Sequence, residues 1–174
     1  ALAALAVGKV LGLPDAAIHD GLGKCVVKGR VELVPISKKF TILLDYAHNE
    51  VSTESLLTTL RAYNPHRLVV VFGCGGDRDP MKRPIMGHIG VKLSDFAVIT
   101  SDNPRTEDPM AIIRDILPGL SGPHLVIPDR REAIFRALDL ARPGDTVILC
   151  GKGHEITQET GGHRLPMDER QIIA

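Results

Sequence analysis

Short, unbroken apolar runs punctuate this chain, and each is cut off by a polar cluster carrying glycine or proline. Residues 68–72 (LVVVF) stop at Gly73-Cys74-Gly75-Gly76-Asp77-Arg78-Asp79. Residues 96–100 (FAVIT) stop at Ser101-Asp102-Asn103-Pro104-Arg105, and residues 147–150 (VILC) at Gly151-Lys152-Gly153-His154-Glu155. Apolar runs of this length without polar alternation predict strands buried on both faces, as in a parallel sheet. A fourth run, residues 40–44, ends at Asp45-Tyr46-Ala47-His48-Asn49, and residues 31–35 before it predict a further strand across the turn Ser37-Lys38-Lys39.

Between the runs the period changes to that of helices. Ser52 is read as the cap of a helix carrying Leu56, Leu57 and Leu60, closed by Pro65. A second helix is predicted over 84–93. Asp108-Pro109 opens a third, with Ile112, Ile113, Ile116 and Leu117 at helical spacing. Leu125 to Ile127 reads as a short strand. Asp129 caps a helix with Ile134, Phe135 and Leu138, and Pro143-Gly144-Asp145 turns the chain into the 147–150 strand. A strand or turn near 163–165 and a short helix from Asp168 close the pattern. At the other end, residues 2–12 and 14–22 predict two helices, with 23–30 as a linker. Strands alternating with helices imply βαβ units, so the expected fold class is α/β: a Rossmann-like, mostly parallel sheet with helices on both faces.

In open parallel sheets ligands sit beyond the carboxyl ends of the strands. The polar clusters all fall there, so the topology is expected to gather Arg78, Asp102, Asn103, Arg105, Gly151 and Glu155 on one edge. Arginine offers a planar fork for carboxylate or phosphate, asparagine both donates and accepts, and Glu155 suits an ammonium. Such a set fits a zwitterionic or polyanionic small molecule. An ordinary strand-to-helix turn with a surface arginine, a solvated Glu155 and a capping His48 stay open on spacing alone. Asp45 at its strand end has the chemistry to accept from ribose hydroxyls.

Composition narrows the classes. The chain has 174 residues, with 21 Lys+Arg against 21 Asp+Glu, so no basic field argues for nucleic acid. Aromatic content of 3% with no Trp argues against a base-stacking platform. Three cysteines without CxxC spacing point away from a structural zinc or disulfides and towards a reducing cytoplasm. No apolar stretch approaches the ~20 residues of a membrane span. The apolar opening ALAALAVGKVLGL has no basic leader and is expected to be a helix of a longer protein. No GxxxxGK[ST] occurs, since Lys152 is not followed by Ser or Thr, and no GxGxxG follows the first strand, which disfavours a dehydrogenase.

Taken in order, GRVE (29–32), DYAHN (45–49), FGCGGDRD (72–79), KRP (82–84), SDNPRTEDP (101–109) and GKGHE (151–155) resemble the C-terminal domain of the Mur ligases. The resemblance is greatest to the members that add 2,6-diaminopimelate to the peptidoglycan stem peptide. It covers essentially the whole chain and implies a cytoplasmic, ATP-dependent amide ligation. ATP phosphorylates the D-glutamate carboxylate of UDP-MurNAc-L-Ala-D-Glu, the amine of meso-diaminopimelate attacks the acyl phosphate, and Mg2+ neutralises charge on the transferring phosphoryl. It further implies that Arg78, Asp102, Asn103, Arg105, Gly151 and Glu155 hold meso-diaminopimelate, and that Arg30, Asp45 and His48 touch the nucleotide.

On the same resemblance, residues 1–28 correspond to the tail of a central ATPase domain, and 29–174 to the amino-acid-binding domain. The phosphate loop and metal ligands would then lie outside this chain, leaving no catalytic or metal-binding residue within it and no activity for it alone. Glu50 stands where many relatives carry proline. The alternatives of a stand-alone nucleotide or amino-acid binding module, and of a lysine-adding or other Mur-like amide ligase, remain.

Overall fold

The computed structural model describes residues 1–174. Its centre is a six-stranded sheet in the order β1-β2-β6-β3-β4-β5, with β1 (Glu32–Leu33), β2 (Thr41–Asp45), β3 (Leu68–Phe72), β4 (Phe96–Ile99), β5 (His124–Val126) and β6 (Thr146–Cys150). All neighbours are parallel except β1, which runs antiparallel along the β2 edge. Strands β3, β4 and β6 coincide with the apolar runs to within a residue, because a strand covered on both faces has no polar position to offer.

Side chains alternate between two cores. Leu68, Val70 and Phe72 of β3, with Ile148 and Cys150 of β6, face α3 (Glu50–Ala62), α4 (Lys82–Leu93) and α5 (Pro109–Ile116). Val69, Val71, Val147 and Leu149 face α6 (Arg130–Leu140) and α7 (Glu169–Ile173). The doubly covered sheet is the predicted architecture. The face on which the crossing helices pack changes where the chain returns from β5 to β6, beside β3, which is the switch point at which such sheets bind ligands.

Local differences from the expected elements have physical causes. The cap of α3 is Asn49 rather than Ser52: Asn49 Oδ1 accepts from Ser52 N at 2.9 Å while Ser52 Oγ lies 3.4 Å from Asn49 N, a reciprocal capping box. Asp108, Asp129 and Asp168 cap α5, α6 and α7 as their positions predict. Phe135 lies on the exposed side of α6 while Ile134 is wholly buried, so the two do not share a face. The region near 163–165 is half of a hairpin, β7 (Thr157–Thr160) with β8 (His163–Pro166).

The first two helices, α1 (Leu2–Val10) and α2 (Asp15–Lys24), pack on each other where Ile18 meets Gly8. The second runs two residues further than expected, into the glycine-bearing linker. No helix is long and apolar enough to cross a membrane.

Candidate functional site

The segments leaving β2, β3, β4 and β6 enclose a cleft of about 290 Å³, the lower end of the range for small-molecule sites. It is lined by His48 and Asn49 after β2, by Cys74, Gly75, Arg78 and Asp79 after β3, by Asp102, Asn103 and Arg105 after β4, and by Gly151 and Glu155 after β6. Tyr46, Glu50, Lys82, Arg83 and Met86 complete the wall. Only a few of these are apolar, so the cleft suits a charged ligand.

Two loops are stitched together to make its arginine-bearing wall. Gly76 N donates to Asn103 O (2.9 Å), and Arg105 Nη1 donates to Gly76 O (2.6 Å). Gly76 has no room for a side chain, since a Cβ there would lie 1.8 Å from Pro104 O. Arg83, almost wholly buried, donates to Glu107 (2.8 Å) and Asp115 (2.8 Å), and Glu107 also accepts from Asp77 N. These bonds fix the separation of Arg78, exposed on one loop, from Arg105 on the other.

The floor is a charged network. Lys152, with no exposed surface, donates to Asn103 Oδ1 (2.7 Å) and Glu155 Oε2 (2.9 Å), and Asn103 Nδ2 donates to the same glutamate oxygen (2.9 Å). Burial raises the Glu155 carboxyl, but the bonds from Asn103 and Lys152 outweigh it and hold Glu155 below the usual carboxylate range.

Asp102 is the opposite case. Its Oδ1 is buried without a hydrogen bond, and Lys152 Nζ approaches only to 4.0 Å. Burial pushes its carboxyl above the usual range, against the pull of Arg130 and Lys152. Gly151, at φ +109°, passes so close that a Cβ would sit 3.2 Å from Asp102 Oδ2. The cleft therefore offers an underused buried carboxylate, a paired one, and two arginines.

Of the sequence-predicted residues, Arg78, Asp102, Asn103, Arg105, Gly151, Glu155 and His48 lie together here. Arg30 and Asp45 lie outside the cleft lining. Arg30 is exposed and stacks 4.6 Å over the Tyr46 ring. Asp45 is buried, and both of its oxygens serve the backbone: Oδ2 accepts from Val31 N (2.8 Å) and Oδ1 from Ala47 N (2.7 Å). Each oxygen accepts one backbone bond and keeps a second lone pair. Cys74 is buried, with its thiol pushed up to about 12 by burial and by Asp102, which leaves it protonated and unreactive.

Sequence reasoning passed over Lys152 and Arg83, although both stand in the quoted motifs. Lys152 was set aside for failing a phosphate-loop pattern, while its actual partners come from two different strand ends.

A family model described as Mur ligase, glutamate ligase domain, matches residues 29–153. The chain is 46% identical over 166 residues to a UDP-N-acetylmuramoyl-L-alanyl-D-glutamate–2,6-diaminopimelate ligase of Clostridium perfringens, covering 94% of this chain and 34% of that protein. A ligase of the same name from Syntrophomonas wolfei is 46% identical over 179 residues, covering 100% of this chain and 37% of its own. The chain thus spans about a third of the length of the curated relatives it matches. A solved structure of a ligase bearing that name superposes with a TM-score of 0.79 at 36% identity, covering 99% of this chain and 36% of that one. The folylpolyglutamate synthase of Mycobacterium tuberculosis shares the fold at 23% identity, with a TM-score of 0.66 over 83% of this chain and 34% of its own.

Proposed function

The chain belongs to the Mur ligase family, and from that premise we propose that it is the amino-acid-binding C-terminal domain of an ATP-dependent, cytoplasmic ligase joining meso-diaminopimelate to UDP-MurNAc-L-Ala-D-Glu. Residues 29–174 form that domain, and residues 1–28 belong with a preceding ATPase domain. The observation that carries the reading is the cleft itself. Three strand ends bring Arg78, Arg105, Asp102 and Glu155 around one small polar cavity. That is the charge pattern of an amino acid with two carboxylates and two ammonium groups.

In this reading Arg105 and Arg78 take the carboxylates through charge-assisted hydrogen bonds, and Asn103 accepts or donates beside them. Glu155 and the unpartnered Asp102 Oδ1 face the ammonium groups. The domain's task is then orientation: it holds one amine against the acyl phosphate so that attack becomes effectively unimolecular. The amine forms the amide bond to the activated carbonyl carbon, loses a proton, and phosphate leaves.

His48 and Arg30 flank Tyr46, at 4.7 and 4.6 Å from its ring, and form the nucleotide-facing side. Asp45 shapes that side through the backbone of Val31 and Ala47. Magnesium does not fit here, since no three His, Cys, Asp or Glu residues are grouped to hold a metal. The ion belongs to the ATP-binding part of the longer enzyme.

Phosphate release by the full-length protein, with ATP and the UDP-linked dipeptide, tests the reading. Turnover with meso-diaminopimelate and not with L-lysine is the expected result. Turnover with lysine instead retains an amide ligase and rejects the pocket assignment, and turnover with neither rejects the ligase.

A further inference from the structure

The hairpin β7–β8 contributes no residue to the cleft lining, yet it grips the turn that carries Arg105. Arg105 N donates to Glu159 O (2.9 Å), Gly161 N donates to Arg105 O (2.6 Å), and Glu159 N donates to Asn103 Oδ1 (3.0 Å). Gln158 Nε2 reaches Asp102 O at 2.7 Å. Held on both sides, Arg105 keeps φ at +55°, a left-handed backbone that a long side chain rarely adopts.

The same grip fixes Glu159 beside the arginine it holds. Glu159 Oε2 lies 3.6 Å from Arg105 Nε, too far for a hydrogen bond but within ion-pair reach. With Nη1 donating to Gly76 O, the guanidinium already has partners within the chain.

We propose that Glu159 is a specificity-determining residue: its carboxylate stands in on Arg105 for the distal carboxylate of the amino acid. The inference rests on the reading of the cleft given above and adds a residue to it. A dicarboxylate ligand binds Arg105 in the field of Glu159, which weakens its hold. A ligand with one carboxylate leaves Arg105 still partnered, so the penalty for an unpaired, half-buried arginine is softened. Glu159 thus narrows the gap between diaminopimelate and lysine, and eases departure of the joined product.

The side chain of Glu159 is about a third exposed, so solvent keeps the effect modest and its replacement leaves the fold intact. In the full-length ligase, Glu159→Gln is expected to lower the KM for meso-diaminopimelate roughly threefold, with kcat and the ATP KM unmoved. The inhibition constant of L-lysine stays where it was or rises. Glu159→Ala does the same, since the charge and not the amide matters. In an Arg105→Ala background the effect of Glu159→Gln disappears.

A KM that rises for diaminopimelate, or does not change, overturns the proposal; a rise for both amino acids marks a merely structural brace. If Arg105→Ala itself leaves diaminopimelate unaffected, the assignment of the cleft fails first, and that result is distinct from an Arg105-dependent site on which Glu159 has no influence.

Discussion

The two edges of the sheet carry polar clusters of similar size and opposite character. At the amino-terminal edge, Asp145 takes Arg67 Nη2 (2.5 Å) and Nε (3.1 Å), His66 Nδ1 (3.2 Å) and Arg142 N (2.8 Å). Asp95 beside it takes Arg61 (2.7 Å) and Leu68 N (2.7 Å). At the carboxyl-terminal edge, Asp102 Oδ1 has no hydrogen bond, Arg78 is exposed on the rim, and Arg105 is only partly engaged. The first cluster spends its charges on holding strands in register. The second keeps charges in reserve, which costs stability and leaves them for a ligand. Satisfaction, rather than the number of charged residues, separates a structural cluster from a binding one.

That contrast breaks most visibly at Asp145. Asp145→Ala strips four donors of their acceptor and is expected to cost about 3 kcal/mol in urea unfolding, in the range for opening a buried pair. The diaminopimelate KM of the folded full-length enzyme should stay the same; a changed KM would join the two edges functionally.

Arg105→Ala is the mirror experiment. We expect kcat/KM for the diamino acid to fall on the order of 10–100-fold, the weight of a charge-assisted bond, while the ATP KM and the unfolding midpoint hardly move. An equal loss for both substrates would remove Arg105 from the amino-acid pocket.

The smallest effect has the sharpest sign. The folded-state pKa of Asp145 is held below its ordinary value, against burial, by Arg67 and its other donors, so the unfolded chain binds more protons in acid. Its stabilisation is present above the ordinary aspartate range, near pH 4, and is lost as pH falls through the lower folded value. The folded-state pKa of Asp102 is raised by burial, so its ionisation works against the fold as pH rises above that range. Asp102→Asn should therefore stabilise the protein at neutral pH by ~0.5–2 kcal/mol, and the gain should vanish near pH 3. A destabilised Asp102→Asn at pH 7, read by urea unfolding, would place Asp102 with Asp145 after all.

Much of this was legible in the sequence because the buried strands admit no polar residue. Residues 68–72, 96–100 and 147–150 announce their span to within a residue, and the edge where the polar clusters gather. Aspartates 108, 129 and 168 announce helix starts because a short carboxylate directly before a helix has one evident use. The cap of α3 was less clear, since Asn49 and Ser52 are both good caps and the box uses both.

Strand β7 escaped notice because Thr157–Thr160 carries no apolar signal; it is held partly by main-chain bonds to the turn at Arg105. The backbone role of Asp45 was not legible, because a carboxylate at a strand end serves a backbone turn or a substrate equally well and only the fold brings Val31 N and Ala47 N to it. The buried state of Lys152 depends on partners some fifty positions away, which spacing within its own motif does not encode.

The place of β6 in the sheet has a consequence for how the protein is made. This strand lies between β2 and β3, though it leaves the ribosome after β3, β4 and β5 have all been synthesised. Until then the two halves of the sheet have no common neighbour, and the backbone edges of β2 and β3 that β6 will pair are left unpaired. A nascent chain ending at Leu140 holds five of the six strands and three of the four segments that wall the cleft, yet lacks the strand that joins them. Completion of the sheet is thereby deferred until β6 has been made, a window in which unpaired strand edges are open to chaperones or to aggregation.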